Sequence, residues 1–274
     1  MTNKHPKARA ASWLEALADQ QGVMAGYPAS VLVADGWLGD ERARYVAVVP
    51  DPDSLFPRAR NGEVGLIEGW ALARAVREVI RLDSSQPKKR PIVAIVDTPS
   101  QAYGQREEAY GIHQSLASAV AAYAEARLAG HSVIGLIVGR AMSGAFLAHG
   151  YQANRLIALD DPGVMIHAMS KAAAARVTMR TVEQLDALAQ RIVPMAYDIG
   201  SYARLGLLWR LVKVSRPDQP SSEDVALIKQ CLLAALADIR QDPNRDLSSR
   251  LVPDEAVMRQ LSSKVRQHLR AAWR

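Results

Sequence analysis

Cysteine is almost missing from this 274-residue chain, where Cys231 stands alone. One thiol excludes an intramolecular disulfide and leaves no basis for a cysteine-built metal site. Its setting, VALIKQCLLAAL, reads as a small side chain on the buried face of a helix. No run approaches the roughly 18 apolar residues of a membrane span. The opening MTNKHPKARAASW has no apolar stretch of the secretory kind. A cytoplasmic protein without a membrane role is the expectation. Phosphate-binding loops are missing too, with neither GxxxxGK[ST] nor a GxGxxG turn after a strand. Ser143, in AMSGA, lacks the glycine two positions earlier that a nucleophile elbow needs. The histidines show no ligand spacing, so no metal is expected.

The charge is one-sided. A formal net charge of +6 at pH 7 comes largely from the first ten residues, from KKR at 88–90 and from the stretch after Arg259. Aromatics make up 5% of the chain and are not interleaved with these basic groups, so nucleic acid is not expected as a partner. Positive potential of this kind favours encounters with an acidic partner or a phosphorylated ligand.

The apolar pattern supplies the architecture. VLVA (31–34) and RYVAVV (44–49) read as a strand pair separated by a turn-rich DGWLGDERA. GLIEGWALARAVREVIRL places Leu66, Trp70, Leu72, Ala73, Val76 and Ile80 at helical spacing. IVAIVD (92–97) and SVIGLIV (132–138) are continuous apolar runs expected to be strands buried on both faces. Between them, EEAYGIHQSLASAVAAYAEARLAG predicts one long alanine-rich helix closed by Gly130. GRAMSG then predicts a loop, AFLAHGYQA a short helix, RLIALD a strand and VMI another. From Thr181 the spacing is mainly helical, broken at Pro194, RPDQPSS and QDPNRD. Strand–loop–helix units in series predict parallel strands covered by helices, with sites at the strand C-termini.

Two strand-end loops carry the candidate chemistry, DTPSQAYGQREEAYG (97–111) and GRAMSGA (139–145). Glycine lets such a turn aim backbone N–H groups outward, and two converging N–H groups make an oxyanion hole. The other reading is that Gly104, Gly139 and Gly144 serve only tight strand–helix turns. His113 and His149 fall on predicted helices and read as structural. His167, just past VMI, is better placed to face a site.

IVAIVDTPSQAYGQREEAYGIHQSLA, then VIGLIVGRAMSGAFLAHG and RLIALDDPGVMIHAMS, resemble the carboxyltransferase branch of the crotonase superfamily. Within it, GYPASVLVADG, FPRARNGEVGLIEGWALARAVRE, AMSGAFLAHGYQANRLIALDDPGVM and AYDI resemble the γ subunits of biotin-independent malonate decarboxylases, over residues 12–210. The resemblance implies an α/β crotonase-like spiral of ββα units in residues 25–212, an N-terminal segment 1–24 and a C-terminal helical segment 213–274. It implies decarboxylation of a malonyl thioester through an enolate held by backbone N–H groups. The catalytic turn would be Met142, Ser143 and Gly144. Ala102, Tyr103, Gly104, Gln105, Ala141 and His167 would line the substrate. No bound cofactor is implied; the thioester rides on the phosphopantetheine-type arm of an acyl carrier subunit. The implied partners are a homologous β subunit, that carrier and its acyl-carrier transferase. Ala141-Met142-Ser143-Gly144-Ala145 replaces the Gly-Gly-Ser-Gly-Gly turn of the biotin-dependent enzymes, and Thr98-Pro99-Ser100 their Thr-Pro-Gly. That fits release of CO2 instead of its transfer to biotin. Two alternatives stand beside it: a scaffold half with all chemistry in the β subunit, and a stand-alone acyl-CoA hydratase or isomerase. The latter normally places a Glu after the oxyanion turn, and SGAFLAHG has none. Leu207, Leu208 and Trp209 are expected at a subunit interface.

Overall fold

The computed structural model describes residues 8–19, 21–244, 246–251 and 259–273. Strands β1 (Val31–Leu38) and β2 (Glu41–Val48) form an antiparallel hairpin, and alternation along them builds two cores at once. Val31, Val33, Val46 and Val48 join the cluster of Ala71, Leu72 and Ala75 on helix α2 (Leu66–Leu82). Ala43, Tyr45 and Ala47 join the cluster of Trp13, Leu14 and Leu17 on helix α1 (Arg9–Leu17). The sheet continues in parallel through β3 (Ile92–Thr98), β4 (Val133–Met142), β5 (Arg155–Leu159) and β7 (Arg210–Val212), while β6 (Met165–His167) pairs with the far end of β4. Ile92, Val93, Ala94, Ile95 and Val96 are all fully buried, as a strand covered on both faces requires.

Several expectations change in detail. The predicted long helix is two, α3 (Gln105–Ala109) and α4 (Ile112–Leu128), broken where Gly111 takes φ of 79°. Strand β4 runs on through GRAM, which the pattern predicts as loop, because its outer half finds a second partner in β6. Strand β7 falls in a stretch read as helical; three residues are too few to show a period. On α2, Trp70 is 52% exposed, on the solvent side of the helix, while Leu72, Ala73 and Val76 are buried. Helix α2 and α4 cross closely at Gly69, where a Cβ would sit 2.8 Å from the Ser115 backbone. The Ser115 hydroxyl donates to the Leu66 carbonyl there, at 2.7 Å.

The two terminal segments share the central core. Trp13 is fully buried and its indole N–H donates to the Pro217 carbonyl. Helix α9 (Ser222–Gln241) lays Ile228, Cys231, Leu232, Leu236 and Ile239 into the same cluster, which confirms Cys231 as a buried helix residue. Leu208 and Trp209, both partly buried, also pack on this core, and Leu207 lines a cavity. The remaining helices are α5 (Ser143–Ala148), α6 (Lys171–Val177), α7 (Val182–Ala189), α8 (Ile199–Arg204) and α10 (Gln260–Ala272). Among the described residues no helix is long and apolar enough to cross a membrane, and no group of His, Cys, Asp or Glu is arranged to hold a metal.

Candidate active site

The site is made by a bend in β4. Its inner half pairs with β5 from Ile134 to Ile137; its outer half pairs with β6, Arg140 to Met165, Ala141 to Ile166 and Met142 to His167. The register with β3 slips between Val96 and Thr98, which stands opposite Ala141. Gly139 lies in the slip. A Cβ there would be 2.2 Å from the Asp97 carboxylate and 3.0 Å from its Cβ, so the close approach needs glycine. Asp97 then accepts the Arg140 N–H at 2.9 Å and fixes the new direction.

The redirected strand passes into α5 with no intervening loop. Ser143 makes the turn at φ of 57°, the left-handed region that a non-glycine residue enters at a cost of about 1–3 kcal/mol. Gly144 beside it has ordinary backbone, so the conformational demand falls one residue earlier than the glycine spacing predicts. Ala145 and Ala148 of α5 pack on Ala119 and Leu116 of α4, and small side chains there let the helix sit close. Behind the turn, His149 is fully buried. Its Nε2–H donates to the Ile95 carbonyl at 3.0 Å, since a carbonyl only accepts, and Nδ1 therefore accepts the Tyr123 hydroxyl at 3.0 Å. Burial pushes its pKa down to about 4 against the pull of that carbonyl, leaving a neutral structural ring. His113 on α4 is exposed.

In front of the turn lies a cavity of ≈ 390 Å³ whose wall includes Ser143, Gly144, Leu147, Ile166, His167 and Tyr202. Of the expected site residues, Ser143, Gly144 and His167 meet here. His167 stacks on Tyr197 at 3.9 Å between ring centres, with Nδ1 3.1 Å from the Met169 carbonyl oxygen. Burial holds its pKa below the usual range, against that carbonyl. Met142 and Ala141 are buried strand residues that hold the turn from behind.

The other loop does not line this cavity. Ala102 N–H donates to the Val64 carbonyl at 2.8 Å and Tyr103 N–H to the Gln101 carbonyl at 2.9 Å, so both are engaged within the fold. The Tyr103 ring is half exposed with the Arg58 guanidinium over it at 3.9 Å, and Gly104 and Gln105 open α3. What joins the two loops is Gln101, whose side-chain oxygen accepts the Gly144 N–H at 3.0 Å. Sequence reasoning passes over Gln101, which is 43 positions from its partner and has no local signal. It also passes over Tyr202, whose buried hydroxyl has no hydrogen-bond partner among the described residues. Burial pushes that phenol well up, so it remains a neutral O–H donor.

The bent strand, the left-handed turn into a short helix and the Gly144 N–H meet at one cavity wall. The family model for the malonate decarboxylase gamma subunit matches residues 59–273. The chain belongs to that family. A solved chain from a Pseudomonas malonate decarboxylase hetero-tetramer, in complex with coenzyme A, is 60% identical, superposes with a TM-score of 0.93, and the match covers 97% of this chain and 100% of that one. A malonyl-S-ACP:biotin-protein carboxyltransferase from Malonomonas rubra is 35% identical over 226 residues, 81% of this chain and 74% of that protein. A transcarboxylase 12S chain, at 18% identity and a TM-score of 0.64 over 88% of this chain and 43% of its own, shares the fold. The crotonase-like α/β fold expected from the sequence is therefore the one found, in the γ-subunit family of a decarboxylase that works as a hetero-oligomer.

Proposed function

We propose that this chain is the γ half of a decarboxylase acting on malonyl-[acyl carrier protein], releasing CO2 and leaving the acetyl thioester. The bond from the central carbon to the carboxylate breaks, its electron pair moves into the thioester carbonyl, and the resulting enolate oxygen needs donors in place before the charge develops. A proton then adds to the carbon. The observation that carries this reading is the Gly144 N–H at the cavity wall, held at 3.0 Å by the amide oxygen of Gln101. That oxygen stands where a carbonyl oxygen of the substrate would be received, and its departure on binding hands the donor over. One such donor is worth roughly 3–4 kcal/mol in a water-poor site. The neutral His167 ring lines the same space and supplies a polar group to orient the malonyl unit or return the proton, and Tyr202 forms part of the wall.

The reading makes this half a site. The Ala102 and Tyr103 donors are engaged internally, which leaves the complementary wall to a β subunit of homologous fold. The substrate arrives on the phosphopantetheine-type arm of a carrier subunit loaded by an acyl-carrier transferase, and the whole complex is cytoplasmic. The test is CO2 release from malonyl-loaded carrier, with the chain alone and with its β subunit. Turnover is expected only with both. An isolated chain that is monomeric, folded and fully active would overturn the shared site, and an inactive reconstituted complex would overturn the reaction.

A further inference from the structure

Helix α10 is an amphipathic helix that the described residues leave uncovered. Leu261, Val265, Leu269 and Trp273 recur every four residues and are 79%, 58%, 58% and 89% exposed. Four-residue steps overshoot a full helical turn by about 40° each, so the four side chains make one continuous stripe roughly 120° wide. No residue of α10 is buried. Basic residues flank the stripe on both sides, Arg266 and Arg270 along one edge and Lys264 along the other, and residues 259–274 contain no Asp or Glu.

We infer that α10 docks into an apolar groove rimmed by carboxylates on another, acidic subunit of the complex. Burying a stripe of this length removes apolar surface from water, while cations on both edges reward a negative rim and speed encounter with it. A second copy of the same helix would set cations against cations. A partner subunit is favoured over an anionic membrane because the 60%-identical chain, matched over 97% of this one, belongs to a hetero-tetramer. The inference rests on the family assignment and not on the chemistry at Gly144.

The test uses the full chain co-purified with its β and carrier subunits. Lys264 is joined to nearby carboxylates with a zero-length carbodiimide cross-linker, and subunit composition is read by native mass spectrometry. Cross-links from Lys264 to Asp or Glu of a different subunit are expected, together with weakening of that subunit's binding by tenfold or more between low and high salt. Replacing Val265→Glu and Leu269→Glu keeps good helix formers but places charge in the stripe. That double variant should lose the same subunit at least tenfold more readily. Arg266→Glu with Arg270→Glu, which leaves the stripe intact, should weaken it and reverse the salt dependence. An unchanged composition in both variants overturns the proposal, as do Lys264 cross-links confined to copies of this chain. Capture of the wild-type complex by phosphatidylglycerol vesicles, lost in the Val265→Glu, Leu269→Glu variant with subunits intact, assigns α10 to a membrane instead.

Discussion

The ends of β3 and β4 are neighbouring strand ends that meet the adjoining helices in opposite ways. After Thr98 the chain makes a loop that satisfies its own backbone, through Ala102 to Val64 and Tyr103 to Gln101, and enters α3 from Gly104 in extended conformation. After Met142 there is no loop at all; Ser143 turns left-handed and the next N–H points to a side chain across the gap. The first end is a strut and the second presents a donor. Their difference lies in the acceptors: the backbone takes the N–H groups of the first end, while a side chain takes that of Gly144. A glycine nearby marks freedom to turn, not where the donor lies.

The sharpest way to break the comparison is to add a side chain at each end. Gly139→Val would drive its Cβ to 2.2 Å from the Asp97 carboxylate and 3.0 Å from the Asp97 Cβ, so the outer half of β4 must move. Turnover of the complex should fall about 10²–10³-fold, the scale for losing one oxyanion donor. Gly104→Ala also starts from a close contact, 2.3 Å, but with the far end of the Glu107 side chain, which can swing away. It should cost no more than about threefold, as a tolerated near-surface change does. Both are measured as kcat, with circular dichroism confirming the fold. Equal losses at the two positions would erase the distinction between strut and donor.

How much of this was legible in the sequence follows from the range of each signal. The buried centres of β3 and β4 read directly from IVAIV and VIGLIV, because period and burial are local. GRAM read as a loop because its strand character comes from β6, 25 residues on and only three residues long. The alanine-rich pattern runs straight through Gly111 and carries no sign of its φ of 79°. Ser143, Gly144 and His167, grouped by the strand-end rule and the resemblance, are found on the wall of one cavity. Gln101 and Tyr202 could not be grouped so, since each matters through a contact or cavity wall made by distant segments. Trp70 shows the converse limit: helical spacing puts it near the apolar face, but only packing decides which side it takes.

A second difference lies behind the two ends, where only the β4 turn is backed by a buried titratable ring. His149 is neutral in the folded chain with a pKa near 4, against about 6.5 when unfolded. Between those values the unfolded chain binds a proton that the folded chain refuses, so stability is intact above about pH 6.5 and is lost as pH falls toward 4. The full loss is about 3 kcal/mol. Melting temperature should therefore drop steadily across this window. His149→Gln should lower it at pH 7.5, by breaking the links to Ile95 and Tyr123, yet give a shallower slope below 6.5. A variant with the wild-type slope would place the acid sensitivity elsewhere.

The smallest effects are expected at Ser143, and they decide between a backbone and a side-chain role. If the donor is the neighbouring N–H, removing the hydroxyl in Ser143→Ala keeps the left-handed turn and should cost less than about tenfold in turnover, well under the loss for a missing donor. Ser143→Gly also removes the hydroxyl but relieves the strain that φ of 57° places on any residue with a Cβ. It should raise stability by about 1 kcal/mol unless the added freedom of the unfolded glycine offsets the gain. The two variants thus separate geometry from chemistry. Activity that survives in both, with stability higher in the glycine variant, assigns the serine to holding the turn. A folded Ser143→Ala complex that is inactive would give the hydroxyl a direct chemical part, and the β4 end would then differ from the β3 end by a side chain and not by a freed N–H.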